Sequence, residues 1–194
     1  MATLLFCLRD EIIEEAEQLK VQFGWKSPLM GMHIRRGDRK DLYKYKLEVL
    51  IKKFPWLSFQ NYMEYAKKIK EEFGINQIYL ATDETSIISE LSAFQPEFEF
   101  FYLENTKSSE YSKQDYRWND KTPYALTKNM LIDLYLLSEC NVFVGAQRSM
   151  FAWLATRLMY GKGNEIACPK WIGGDVSNKY GYWSGEKVSE NTCV

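Results

Sequence analysis

The strongest constraint on this chain is an alternation. Short apolar runs at Leu29–Ile34, Gln77–Ala81, Phe98–Leu103 and Asn141–Gly145 are interleaved with longer segments whose apolar residues recur at helical spacing. Arg9–Gln22 carries Ile12, Ile13, Ala16 and Leu19 on one face, and Gly24 and Pro28 end it. Ser58-Phe59-Gln60-Asn61 opens a helix through Tyr62, Met63, Ala66 and Ile69 that stops at Gly74. Thr85–Phe94 predicts a helix burying Ile87, Ile88 and Leu91, with Thr82 or Asp83 as its cap. Tyr124–Cys140 and Ser149–Tyr160 predict two more, and Glu165–Cys168 is a candidate last strand. Such a pattern predicts an α/β fold, a parallel sheet with helices on both faces, over residues 1–170, followed by an irregular tail over 171–194.

Composition narrows the class. With 194 residues, 46% of them hydrophobic and 15% aromatic, the chain can fill one full core. A net charge of −1 argues against general nucleic-acid binding, which needs a broad basic field. The four cysteines show no CxxC spacing, and Cys7 and Cys140 lie in apolar runs and read as buried thiols. The apolar run Ala2–Leu8 is too short to span a membrane and lacks a basic flank, so neither signal nor anchor is read here. Two segments, Asp41–Phe59 and Glu104–Lys121, lack clear periodicity yet are rich in aromatic residues, which suits loops overhanging a site.

The run Pro28–Ile34 leads straight into Arg35-Arg36-Gly37-Asp38-Arg39-Lys40, five charged residues in six. In an open parallel sheet the carboxyl ends of the strands form the ligand crevice. An arginine there offers a planar fork of donors to an anion, and two in tandem suggest a diphosphate. Composition alone is equally compatible with a solvated charge cluster. Side chains alternate along a strand, so Arg35 and Arg36 should diverge, one facing the crevice and the other pairing locally, with Asp38 as a candidate partner. His33 is the only histidine, so no second one exists to share a zinc or serve a separate hydrolytic triad. Asp133 sits in an apolar stretch, where its carboxylate needs a bonding partner unless it lies on an exposed stripe. Asp83 and Glu84 end their strand as a carboxylate pair suited either to a pocket or to capping the next helix. Ser149, with Arg148 beside it, stands where a helix begins and unpaired N–H groups collect.

His33-x-Arg35-Arg36-x-Asp38 resembles the first motif of the α1,6-fucosyltransferases, which add core fucose to N-glycans, and of their rhizobial chitooligosaccharide relatives. Ile78-Tyr79-Leu80-Ala81-Thr82-Asp83-Glu84 resembles that family's strand ending in Ala-Thr-Asp. Leu131–Ser138 resembles its third motif, followed as in the family by an apolar strand and a serine, Ser149. The resemblance runs from residue 5 to residue 160, the donor-binding half of such enzymes. It implies a Rossmann-like domain, similar to the C-terminal donor-binding lobe of a GT-B-type fucosyltransferase. It further implies fucose transfer from GDP-fucose to a glycan hydroxyl, α1,6-linked and with inversion, in the Golgi lumen. The N-terminal lobe would have to come from elsewhere, as further chain or as a partner.

By the same resemblance Arg35 holds the diphosphate, His33 and Asp133 the guanosine, and Ser149 a phosphate, with Arg36 and Asp83 as further donor-pocket residues. Arg35, Asp38 and Asp41 are the candidate catalytic residues. The family's glutamate beyond the first motif aligns near Tyr43, which leaves Asp41 or Glu48 as substitutes for the base. No Asp-x-Asp occurs, so an arginine in place of a metal is the expectation, with no cofactor. A guanine-nucleotide-binding module that has lost transfer is the alternative.

Overall fold

The computed structural model describes residues 8–36, 57–84, 86–104, 124–146, 149–162 and 168–172. Most of Asp41–Phe59 and Glu104–Lys121, and residues 173–194, lie outside them. In chain order the elements are α1 (Asp10–Phe23), β1 (Met30–Ile34), α2 (Phe59–Phe73), β2 (Gln77–Thr82), α3 (Ser86–Glu90) with a 3₁₀ turn (Leu91–Ala93), β3 (Glu99–Phe101), α4 (Tyr124–Ser138), β4 (Val142–Ala146), α5 (Met150–Gly161) and β5 (Cys168–Ile172).

The five strands form one sheet in the order β3-β2-β1-β4-β5, and every neighbouring pair is parallel. β1 is the central strand and is buried along its whole length, as a strand covered on both faces must be. The two-residue alternation sorts its side chains. Met30, Met32 and Ile34 join Ile78, Leu80, Val142 and Val144 in a core under α2 and α3. Leu29, Tyr79, Ala81 and Phe143 pack instead against Ile12 and Ala16 of α1, Ile132 and Leu136 of α4 and Ala152 and Ala155 of α5. Gly31 lies on this second face: a Cβ there would come within 3.2 Å of Cys140 and Leu137, so glycine lets α4 lie close to the sheet.

Local signals set the helix ends. Ser58 and Asn61 form a reciprocal capping box at the start of α2. Gly24 and Gly74, at φ 65° and 70°, close α1 and α2 in the left-handed conformation that glycine adopts without strain. The starts of β1 and β4 are tied side by side: Asn141 Oδ1 accepts the Leu29 N–H at 2.9 Å and the Ser27 hydroxyl at 2.9 Å, and the Asn141 N–H donates to Leu29 O at 2.8 Å.

Two expectations change. The helix expected over Thr85–Phe94 is a single short α segment followed by a 3₁₀ turn, and Thr85, immediately before it, lies outside the described residues. Thr82 Oγ1 accepts the Glu84 N–H at 3.1 Å, and Asp83 Oδ1 accepts the Arg36 N–H at 2.9 Å, so both oxygens serve the turn and the neighbouring strand. The last strand reaches Ile172, four residues past the Cys168 expected as its end, and residues 165–167 of the expected span lie outside the described residues. It contains Pro169, and among the described residues β5 stands at the edge of the sheet, where a residue without an N–H is tolerated.

Candidate functional site

The chain runs from β1 outward to β2 and β3, then returns to the other side of β1 with β4 and β5. The direction of winding therefore reverses between β1 and β4, and the crevice above the carboxyl ends of those two strands is where such sheets hold ligands. One wall of that crevice is the end of β1, where His33 pairs with Gly145 of β4 on one side and Ala81 of β2 on the other. The opposite wall is the start of α5.

The two arginines diverge. Arg36 is buried, its Nε 3.0 Å from Glu84 Oε2 and its Nη2 3.4 Å from Glu90 Oε1, so it turns toward the turn after β2 and α3. Ser86 Oγ donates to Glu84 Oε1 at 2.6 Å and holds that carboxylate from behind. Together with the Arg36 N–H bond to Asp83, these contacts lock the first motif to the second. Asp83 thus serves as a backbone latch, and Arg36 spends its fork on carboxylates of its own chain. The local partner of Arg36 is Glu84 with Glu90; Asp38 and Asp41 lie outside the described residues. Arg35 is half-buried, and the alternation assigns it to the side of the sheet that carries His33.

His33 is 7% exposed, and its ring lies 4.9 Å, centroid to centroid, from Phe151 in the first turn of α5. Ser149 caps that helix from an extended conformation, its Oγ accepting the Ala152 N–H at 3.3 Å. The hydroxyl hydrogen of Ser149 is still available to donate, and the first N–H groups of a helix lack intrahelical partners. Met150, at the same helix start, is 76% exposed, so this end of α5 opens to solvent.

On the same face of the sheet, α4 carries Asp133. Tyr79 of β2 donates its hydroxyl to Asp133 Oδ1 at 2.6 Å, which supplies the bonding partner that the apolar stretch demands. Burial pushes the Asp133 carboxyl up to about 7, and the Tyr79 bond pulls in the opposite direction. Burial and the neighbouring carboxylate hold the Tyr79 phenol well above its usual range. The tyrosine itself went unread in the sequence. The available signal was a phenol flanked in its strand by the aliphatic Ile78, Leu80 and Ala81, since a buried Tyr O–H needs an acceptor.

By alternation His33 and Arg35 fall on one face of the sheet, the face on which Asp133 meets Tyr79 and α5, capped by Ser149, packs, while Arg36 and Asp83 brace the turn after β2. A separate shallow groove of about 350 Å³, lined by Asn76, Pro96 and Glu99 among others, sits at the opposite, amino-terminal end of the strands. Among the described residues no group of three or more His, Cys, Asp or Glu side chains could hold a metal ion. No helix among them is long and apolar enough to cross a membrane.

Solved structures of similar architecture carry the same frame. The structure of POFUT1 in complex with GDP-fucose matches with a TM-score of 0.58 at 16% identity, covering 86% of this chain and 47% of that one. POFUT1 in complex with GDP matches with a TM-score of 0.57 at 16% identity, covering 85% and 47%. NodZ α-1,6-fucosyltransferase soaked with GDP-fucose gives 0.48 at 18% identity, covering 78% and 43%. The chain spans about half the length of the POFUT1 structures. The family model for alpha-(1,6)-fucosyltransferase N- and catalytic domains matches residues 1–167, so by sequence the chain belongs to the α1,6-fucosyltransferase family.

Proposed function

We propose that this chain is the donor-binding part of a glycosyltransferase that moves fucose from GDP-fucose to a glycan hydroxyl. The observation that carries this reading is the meeting of His33, at the end of β1, with the start of α5 at the winding reversal, in a chain of this family. Arg35 grips the diphosphate from the rim, Ser149 and the first N–H groups of α5 receive a phosphate oxygen, and His33 and Asp133 hold the guanosine. Guanine offers an N–H and an amino group side by side, donors that match the acceptor Asp133 supplies. Adenine would leave that buried carboxylate unsatisfied.

Transfer is an in-line displacement. The acceptor oxygen attacks the anomeric carbon while the bond to the diphosphate oxygen breaks, which gives inversion, and a 6-hydroxyl as the attacking group gives the α1,6 linkage. Negative charge grows on the departing GDP, and the guanidinium of Arg35 stabilises it in place of a metal. Asp41 is the candidate base for the acceptor proton, with Asp38 orienting an arginine of the first motif. The acceptor is a glycan, and the compartment proposed is the Golgi lumen.

A second reading, a nucleotide-binding module without turnover, is favoured by one observation: the family's glutamate beyond the first motif aligns near Tyr43, with only Asp41 or Glu48 nearby to substitute. A thermal-shift panel with GDP, UDP and ADP, followed by fucose transfer from GDP-fucose to a core N-glycan or chitooligosaccharide, separates the two. Stabilisation by GDP with turnover supports the transferase, and stabilisation without turnover supports the module. No stabilisation by any nucleotide removes both.

A further inference from the structure

A buried polar contact on the face of the sheet that carries His33 joins two elements far apart in sequence. Tyr79 has no measurable exposure and Asp133 is 6% exposed, and the hydroxyl of one lies 2.6 Å from Oδ1 of the other. A carboxylate presents two oxygens in one plane, and that plane turns about a soft, two-fold torsion unless something holds it. Here β2 holds one oxygen. We infer that Tyr79 is a positioning residue of the nucleotide site, which by clamping Oδ1 turns Oδ2 toward the base as a pure acceptor and so selects a 6-oxopurine nucleoside diphosphate. The inference rests on the guanosine reading above and adds to it a residue with no ligand contact of its own.

The surroundings leave Tyr79 in charge of that orientation. On this face α1 brings Ile12 and Ala16, and α5 brings Ala152 and Ala155, all apolar. Among the described residues Cys140, near the end of α4, is the further titratable group that acts on Tyr79, and its thiol donates to the Leu136 carbonyl at 3.3 Å; His33 of β1, on the same face, packs on Phe151. Glu17 and Lys20 of α1 are engaged farther out, with Tyr135 and Glu139. Besides burial itself, the Tyr79 bond is what acts on the ionisation of Asp133, and it favours the carboxylate.

The test compares wild type, Tyr79→Phe, Asp133→Asn and the double variant, with dissociation constants for GDP and xanthosine diphosphate measured by calorimetry between pH 6 and 8.5. Xanthine carries a carbonyl where guanine carries its amino group. Tyr79→Phe weakens GDP about tenfold and moves the acid limb of the binding profile to higher pH, because an unclamped carboxyl ionises less readily. Asp133→Asn, its amide oxygen still held by Tyr79, points an NH₂ at the base and exchanges GDP for xanthosine diphosphate preference by about a hundredfold. The double variant loses about tenfold of that preference, since nothing then fixes which way the amide faces. Should Tyr79→Phe fold poorly, the Asp133→Asn arm alone decides, with no gain of xanthosine diphosphate counting against the inference. GDP binding and a pH profile unchanged in Tyr79→Phe overturn it while leaving the guanosine reading intact. A folded wild type that binds no GDP overturns both.

Discussion

Arg36 Nε lies 3.0 Å from Glu84 Oε2 with both side chains almost fully enclosed, so the link between the first and second motifs is a buried ion pair. Removing one member of such a pair strands the other in a poorly solvating environment, at about 3–5 kcal/mol. Arg36→Ala and Glu84→Ala should each lower the melting temperature by roughly 10 °C in a chain of this size. Glu90, whose side chain is 46% exposed, should cost under about 1 kcal/mol when replaced by Ala. Chemical denaturation of the three variants checks the ordering. Equal losses at Glu84 and Glu90 would contradict it.

Arg35 is the opposite case. Half-buried at the rim, its replacement by Ala should leave the unliganded melting temperature within about 2 °C of wild type. GDP affinity should drop by about 1.5–3 kcal/mol, the range for a charge-assisted bond. Calorimetric titration alongside a ligand-free melt measures both. A large loss of unliganded stability would mark Arg35 as structural.

For Asp133 the sign follows from its direction. The folded-state value, about 7, stands above the ordinary 3.8, so the folded protein holds a proton that the unfolded chain has released. Its contribution is complete below pH 4 and declines as pH rises to about 7, by about 4 kcal/mol at most. Urea unfolding of wild type and Asp133→Asn across pH 4.5–8 isolates it. The difference between them should grow in favour of the variant as pH rises and then level off. A constant difference would place Asp133 in the ordinary carboxylate range.

Ser149 should matter in two separable ways. Loss of its cap in Ser149→Ala costs about 1 kcal/mol of stability. Ser149→Gly costs only a few tenths through the cap, while removing the same hydroxyl from any phosphate. Comparable weakening of GDP in both variants, with unequal stability, would assign the hydroxyl to the ligand.

Much of this arrangement was legible in one dimension because it depends on local period. Alternation along Met30–Ile34 gives a strand buried on both faces and dictates that Arg35 and Arg36 part company. Ser58 and Asn61 announce their own helix. What sequence did not reveal was decided by partners distant along the chain. Thr82 and Asp83 read as caps in one dimension, and the bonds Thr82 makes with the Glu84 N–H and Asp83 with the Arg36 N–H come from the turn and the neighbouring strand. Tyr79 and Asp133 are 54 positions apart, and no local rule couples them. Pro169 reads as a strand breaker unless its strand is known to lie on the edge.

The tie that Asn141 makes with Leu29 lies at the far end of the molecule from the crevice, yet it governs the crevice's geometry. Parallel neighbours have no hairpin to fix their stagger, and β1 and β4 are joined only by a long excursion through the rest of the domain. With their starting points bolted together by one amide, each strand climbs the same number of residues, and His33 arrives level with Gly145. The height at which the histidine meets α5 is therefore set some four residues below, by a side chain that never approaches a ligand.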